Sequence, residues 1–239
     1  MEGVDLGINP KDAIAPQVVR LLRDAIIRAR LAPGSAISEA DLARRLGVSG
    51  QPVREAFIKL RELGLLEIRP PRGTFVHRIS VHDVMNARFV REAVEVAVGR
   101  EAAAQRTPGL VKDLREQITE QKRAAAVEDS PAFLRLDERF HRTLAEGIGR
   151  GFAWTMLENI KAQMDRVRFL SFAGATPLID LIRQHIAVVD GIAAGDPDQA
   201  ERAMRIHLRE ILSSLPRIAA APPDYFESDQ PPPPRSEAA

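Results

Sequence analysis

The chain has 239 residues, which fits one large domain or two of ordinary size. Apolar residues make up 45% and charged residues 28%, so a folded core is expected rather than a disordered polymer. There is no cysteine, which excludes disulfides, thiolate metal sites and a cysteine nucleophile.

No apolar run approaches the roughly 18 residues that a membrane span needs. The opening MEGVDLGINP is acidic and lacks the apolar core of a signal peptide. The expectation is a cytoplasmic chain with no membrane partner. The net charge of +1 hides an asymmetry. Residues 11–78 hold 13 Lys and Arg against 7 Asp and Glu, whereas residues 79–239 are net −3. A short basic segment of this kind suits a polyanion such as DNA.

Residues 1–10 read as disordered. From Ala13 to Arg30, apolar residues at Ile14, Val18, Leu21, Leu22, Ala25 and Ile26 keep helical spacing. LAPGS (31–35) ends that helix. Ser38 is placed to cap a short helix carrying Leu42, Ala43 and Leu46, which stops at Gly47. Ser49 is placed to cap the next helix, whose apolar set is Val53, Ala56, Phe57, Leu60 and Leu63. Pro52 falls in the first turn, where a missing N–H costs little. Leu65–Ile68 and Thr74–His77 predict two short strands joined by RPPRG, a basic hairpin tip.

From Ser80 onward the periodicity is helical. The segments 81–105, 109–126, 131–147, 152–171, 177–194 and 197–219 predict six helices with short connections, an antiparallel bundle. The final residues 221–239, APPDYFESDQPPPPRSEAA, are Pro-rich and read as a disordered tail. The predicted class is therefore mainly α. It comprises an N-terminal winged helix-turn-helix at 11–78 and an all-helical domain at 79–220.

Helix, short helix, turn, helix and hairpin is the element order of a winged helix-turn-helix. Gly47 permits the positive φ of a sharp helix end, Val48 can plug the gap between helices, and Ser49 directs the next N-terminus outward. A helix N-terminus with free N–H groups favours phosphate. In such a fold the first turn of the second helix enters the major groove, which places Gln51 and Arg54 at base edges. Arg72, Gly73 and Thr74 at the hairpin are candidates for the adjacent backbone or minor groove.

The stretches LAPGSAISEADLARRLGVS and PVREAFIKLRELGLLEIRPPRGTFV resemble the DNA-binding domain of the GntR family of bacterial regulators across about residues 13–78. Gly50 stands where that family commonly has Arg, and Ala40 where some members have another. The resemblance therefore implies operator binding with an altered readout, to which Gln51 is expected to contribute.

Three of the five histidines lie on apolar helical stripes in the C-terminal half. Asp137 and His141, four apart in LDERFHRTL, share a helix face with Phe133, Phe140 and Leu144. His185 lies between Leu181 and Val188, and His207 between Met204 and Ile211. A carboxylate directed into a core is costly unless paired. Three imidazoles and one acid meeting inside a bundle would be satisfied by a divalent cation. One oxygen and three nitrogens suit zinc first, with nickel, manganese or iron also fitting.

Residues 80–220 are similar to the FCD ligand-binding domain of the FadR-type branch of the same family, on the strength of LDERFH, QH, AAGD and MRIHL. Residue by residue, the resemblance implies Asp137, His141, His185 and His207 as metal ligands. It departs at Ile186, where the family often has Arg. The resemblance also places Arg91, in FVREAVEVA, in an effector pocket, with Glu95 one turn on to hold it. Arg166 and Arg168, in MDRVRFL, are further candidates for a small carboxylate.

Together these features predict a homodimeric DNA-binding repressor, not an enzyme. A small organic acid bound beside the metal would control its hold on double-stranded operator DNA. A metal sensor, with the cation itself as the signal, is the main alternative. A metallohydrolase or an architectural DNA binder explains fewer of the features.

Overall fold

The computed structural model describes residues 7–172, 174–220 and 223–227, and they fold mainly into helices. The N-terminal head begins with α1 (Ile14–Ile27). Next come β1 (Ala36–Ile37), α2 (Glu39–Leu46) and α3 (Gly50–Glu62). Strands β2 (Leu66–Arg69) and β3 (Gly73–Val76) form the wing. Val18, Leu22 and Ile26 of α1 meet Leu42 of α2 and Val53, Phe57 and Leu60 of α3 in one buried cluster. Each such side chain contributes about 1.5–3 kcal/mol by leaving water.

The turn between α2 and α3 follows from its residues. Ser38 caps α2, its hydroxyl accepting from Asp41 N at 3.3 Å. Gly47 closes the same helix at φ 65°, a conformation costly for any residue with a Cβ. Ser49 occupies the N-cap of α3 as expected, but its hydroxyl makes no capping bond. It is exposed together with the free first-turn N–H groups.

The sheet differs from expectation. It has three antiparallel strands in the order β1-β3-β2, with Ala36 opposite Phe75 and Leu66 opposite Val76. Two residues are too short to show alternation, so β1 exists through its pairing with β3 rather than through its own pattern.

The C-terminal part is an all-helical bundle. Its first three helices are α4 (Val81–Gln105), α5 (Pro108–Ala126) and α6 (Ser130–Gly147). They are followed by α7 (Gly151–Ile160), α8 (Ala162–Ser171), α9 (Leu178–Ala194) and α10 (Pro197–Ala220). Among the described residues this makes seven helices where six were expected, because the segment 152–171 breaks at Lys161. The apolar period runs through the break with no Gly or Pro. At the break Lys161 is buried, pairing with Glu138 of α6 and Asp165 of α8.

Leu114, Phe133, Phe140, Leu144, Val188, Ile192 and Met204 fill the bundle core. Helices α9 and α10 approach closely at Gly191, where an added Cβ would lie 2.7 Å from Ala200 N. Among the described residues, no helix is long and apolar enough to cross a membrane.

Two expected disordered ends need correction. Asn9 donates its backbone N–H to Gln17 Oε1 at 2.8 Å and accepts from Gln17 Nε2 at 2.9 Å, which ties residues 7–10 to α1. After α10, the segment Pro223–Glu227 returns to the connection between head and bundle. Ile79 N donates to Tyr225 O, Glu227 N donates to Ile79 O, and Phe226 is buried beside Ile79 and Val84. Residues 1–6 and 228–239 of the expected disordered ends lie outside the described residues.

Candidate metal centre and nucleic-acid interface

Asp137 and His141 project from one face of α6, His185 from α9 and His207 from α10. All four are buried, and one ligand atom from each lies within 4.8 Å of every other. Nε2 of His207 is 3.0 Å from Nε2 of His141 and 3.3 Å from Nε2 of His185. Asp137 Oδ1 is 3.5 Å from His185 Nε2, and Asp137 Oδ2 is 3.9 Å from His141 Nε2.

The surrounding groups fix how each ring is turned. Gln121 commits its Nε2 to Leu136 O, so its Oε1 faces His185 Nδ1 at 2.8 Å. Gln184 commits its Nε2 to Glu210 Oε2, so its Oε1 faces His207 Nδ1 at 3.0 Å. The Glu95 carboxylate pairs with His141 Nδ1. Each partner offers only an acceptor oxygen, so His185 and His207 carry hydrogen on Nδ1 and turn an Nε2 lone pair inward, while His141 turns Nδ1 to the Glu95 carboxylate and Nε2 inward. Three Nε2 atoms converging at about hydrogen-bond distance need a proton or a cation among them.

The electrostatics favour ligand-competent protonation states. Burial pushes His185 down to about 3 and His207 well below its ordinary value. Burial alone would raise Asp137, but the positive charge beside it, Arg168 first, outweighs burial and holds the carboxylate well below its usual range. For Glu95 the same contest, won by Arg91 and His141, ends at about 2. A neutral His185 and His207 and an ionised Asp137 need give up no proton to a metal. Asp137 Oδ1 is buried with no hydrogen-bond partner, so the residue set fits a divalent ion on its own chemistry.

A cavity of about 30 Å³ adjoins His207, lined in part by Arg91, Arg168, Ser171, Thr176, Glu210 and Ser214. That is room for one water, so a larger acid requires side chains to move. Arg91 pairs with Glu95 and keeps a buried Nη2 without a partner. Arg168 pairs with Asp137. Arg166 is the exception among the expected effector residues. It does not line the cavity; it donates to Gln163 Oε1 at 2.9 Å, and burial lowers it to about 10.

On the head, Ser49, Gln51 and Arg54 are exposed at the start of α3. Gln51 donates to Glu55 at 3.0 Å, and Arg54 lies 3.7 Å from Glu39 with its side chain 68% accessible. Arg72 and Gly73 are exposed at the β2–β3 turn. Thr74 is half-buried in the central strand, between Ile37 and Ile68.

Sequence reasoning missed Gln121 and Gln184 and gave Glu95 only its bond to Arg91. Gln184 adjoins His185, but a neighbour in sequence on a helix points to another face. Its reach to His207 depends on how α9 and α10 pack.

The profile described as "Bacterial regulatory proteins, gntR family" matches residues 14–76, and that described as "FCD domain" matches residues 87–210. The chain is 39% identical to the HTH-type transcriptional repressor RspR of Escherichia coli over 95% of this chain and 99% of that one. It is 32% identical to a probable D-xylose utilization operon transcriptional repressor of Paenarthrobacter nicotinovorans, over 84% and 88%.

Among solved structures, a putative GntR transcriptional regulator from Rhodococcus superposes with a TM-score of 0.67 at 25% identity, covering 87% of this chain and 98% of that one. E. coli McbR/YncC shares the fold, with a TM-score of 0.74 at 19% identity over 85% and 97%. RspR, the D-xylose operon protein and the Rhodococcus protein are named as transcriptional regulators. The chain belongs to the GntR family of bacterial regulators, in the FadR-type branch with a C-terminal FCD domain, and is a DNA-binding transcriptional regulator.

Proposed function

We propose that this regulator is a homodimeric repressor whose hold on operator DNA is set by a small carboxylate bound beside a divalent metal. Asp137, His141, His185 and His207 hold the ion, with zinc the first choice. The observation that carries this reading is the convergence of three Nε2 atoms with the Asp137 carboxylate, two of the rings fixed by an amide oxygen behind Nδ1 and the third turned to the Glu95 carboxylate. Bound there, the metal would supply a positive charge that attracts an acid oxygen. Arg91, with its unpartnered buried Nη2, supplies the complementary donor.

Repression is inferred from the names of RspR and the D-xylose operon repressor. The Ser49, Gln51 and Arg54 face and the Arg72–Thr74 wing are inferred to contact DNA. The work of such a protein places it in the cytoplasm. A second copy of the chain is inferred to cover an exposed apolar patch on α4 and α7. Phe89, Val90, Ala93 and Ala97 of α4 and Phe152, Met156 and Ile160 of α7 are exposed, and Val90 and Ile160 share one groove.

The test is elemental analysis of the purified chain and of His185→Ala/His207→Ala. The expected outcome is about one metal per chain in the wild type and none in the variant; full retention by the variant would sink the assignment. The competing reading, with the cation as the signal, predicts that stripping and restoring Zn²⁺ alone switches operator binding.

A further inference from the structure

Helix α8 is polar in sequence yet almost wholly buried, and its two flanks serve different bodies. Toward the head, Ala162 joins the head core and Gln163 donates to Gly64 O at 2.5 Å. On the same side, Asp165 accepts from Arg23 of α1 at 2.9 Å, across 142 residues of sequence. Toward the metal centre, Arg168 pairs with Asp137. The two flanks are joined within the helix, since Arg168 Nη1 is 3.9 Å from Asp165 Oδ1. A second line runs alongside. Glu138, the neighbour of Asp137, pairs with Lys161, whose Nζ donates to Asp165 at 2.7 Å.

Three acids (Asp137, Glu138, Asp165) therefore alternate with three bases (Arg168, Lys161, Arg23), and both lines end on Asp165. Asp165 is fully buried, so these pairs are little screened. Arg168 is shared between two carboxylates. A cation at Asp137 weakens its claim on that guanidinium and shifts it toward Asp165, in competition with Arg23. An acid that captures Arg168 does the reverse. Either event changes how firmly α1 is held to the bundle.

We propose that Asp165 is the junction through which the state of the Asp137 centre sets the hold of α8 on the DNA-binding head, by way of Arg168 on one side and Arg23 on the other. This rests on the reading of Asp137 as a ligand of a bound ion. Asp165, Arg168 and Arg23 act here as positioning residues, since none lies on the Ser49–Arg54 face or the Arg72–Thr74 wing inferred to contact DNA.

The test is a double-mutant cycle on the full chain. A DNA duplex is selected from a random pool with the wild type, and its Kd is measured by fluorescence anisotropy for wild type, Arg168→Gln, Arg23→Gln and the double variant. Arg168→Gln is expected to shift the Kd by about five-fold or more, the scale of ordinary allosteric coupling. On the Arg23→Gln background the same change is expected to shift it by less than about two-fold, the scatter of independent sites.

Equal shifts on both backgrounds, or no shift from Arg168→Gln alone, overturn the proposal. Melting curves establish that each variant is folded. If Arg168→Gln is not folded, Arg168→Lys and Asp165→Asn replace it in the same cycle and are scored the same way. Zn²⁺ content is measured in parallel. A wild type that takes up no Zn²⁺ defeats the metal reading, while the cycle still decides the junction.

Discussion

Gln121 on α5 places its Oε1 2.8 Å from Nδ1 of His185 on α9, with its other end locked to Leu136 O. That one amide sets the tautomer and the aim of a ring that also stacks on Phe140, with centroids 4.2 Å apart. Gln121→Leu should therefore lower Zn²⁺ affinity by about 10–100-fold, the usual effect of losing such a partner. Gln121→Glu, which still accepts from Nδ1–H, should retain most of it. Competition titration against a chromophoric chelator reads both. Equal affinity in Gln121→Leu and wild type would mean that the ring is held by Phe140 alone.

Acid stability isolates a different network. Glu92 is buried and bonded to Arg209 and Arg205 on α10 as well as Arg88 on its own helix. Those hydrogen bonds, Arg209 first, outweigh burial and bring its carboxyl from 4.5 down to about 2. The folded value lies below the unfolded one. The stabilisation is therefore complete above about pH 4.5 and is lost as pH falls from there toward 2. Glu92→Gln should cost about 2 kcal/mol at neutral pH, since hydrogen bonds to charged groups are each worth roughly 1.5–3. It should also flatten the fall of Tm between pH 4.5 and 2. A variant whose Tm tracks the wild type in parallel through that window would rule this out.

Much of this architecture is readable from local signals. Gly47 and Ser38 mark the ends of α2 because each satisfies a backbone requirement by itself. The four inward residues follow from apolar stripes on three helices. What the sequence hides is decided at a distance. β1 exists because Phe75 and Thr74 offer it a partner. The α7–α8 break falls at Lys161, which is buried against Glu138 far away in sequence, and Phe226 is buried where Ile79 binds the backbone on either side of it. Arg166 shows the same limit. Its spacing from Arg168 places both on α8, but only the packing of α8 between two bodies sends one toward the metal centre and the other to Gln163.

On the head, Arg54 and Arg72 are exposed cations on the two expected groove-facing elements. If each meets a phosphate, Arg54→Ala and Arg72→Ala should each weaken duplex binding and reduce the slope of log K against log salt by about 1. Gln51→Ala should instead change the order of preference across a randomised operator set and leave the salt slope as it was. Anisotropy titrations at several salt concentrations separate the two classes. A salt slope unchanged by both Arg variants would move the interface elsewhere on the head.

The spacing of α9 and α10 is set at Gly191, and the same two helices carry His185 and His207 with their Nε2 atoms 3.3 Å apart. A Cβ at 191 would meet Ala200 N at 2.7 Å and Ala200 Cα at 2.9 Å, both backbone atoms that cannot rotate away. Gly191→Ala must therefore spread the helices by several tenths of an ångström. The strain should cost about 1–3 kcal/mol, the usual range for overpacking.

The proposed metal site lies on the same pair of helices less than two turns away, so the spreading should reach His185 and His207 as well. Zn²⁺ should then raise the Tm of Gly191→Ala by less than it raises that of the wild type. Ala200→Gly, by removing the opposing Cβ, relieves only the 3.2 Å contact and should rescue little. A Gly191→Ala protein with wild-type Tm and wild-type Zn²⁺ response would show that the two helices can part without disturbing the imidazoles. The close approach would then have no bearing on the centre.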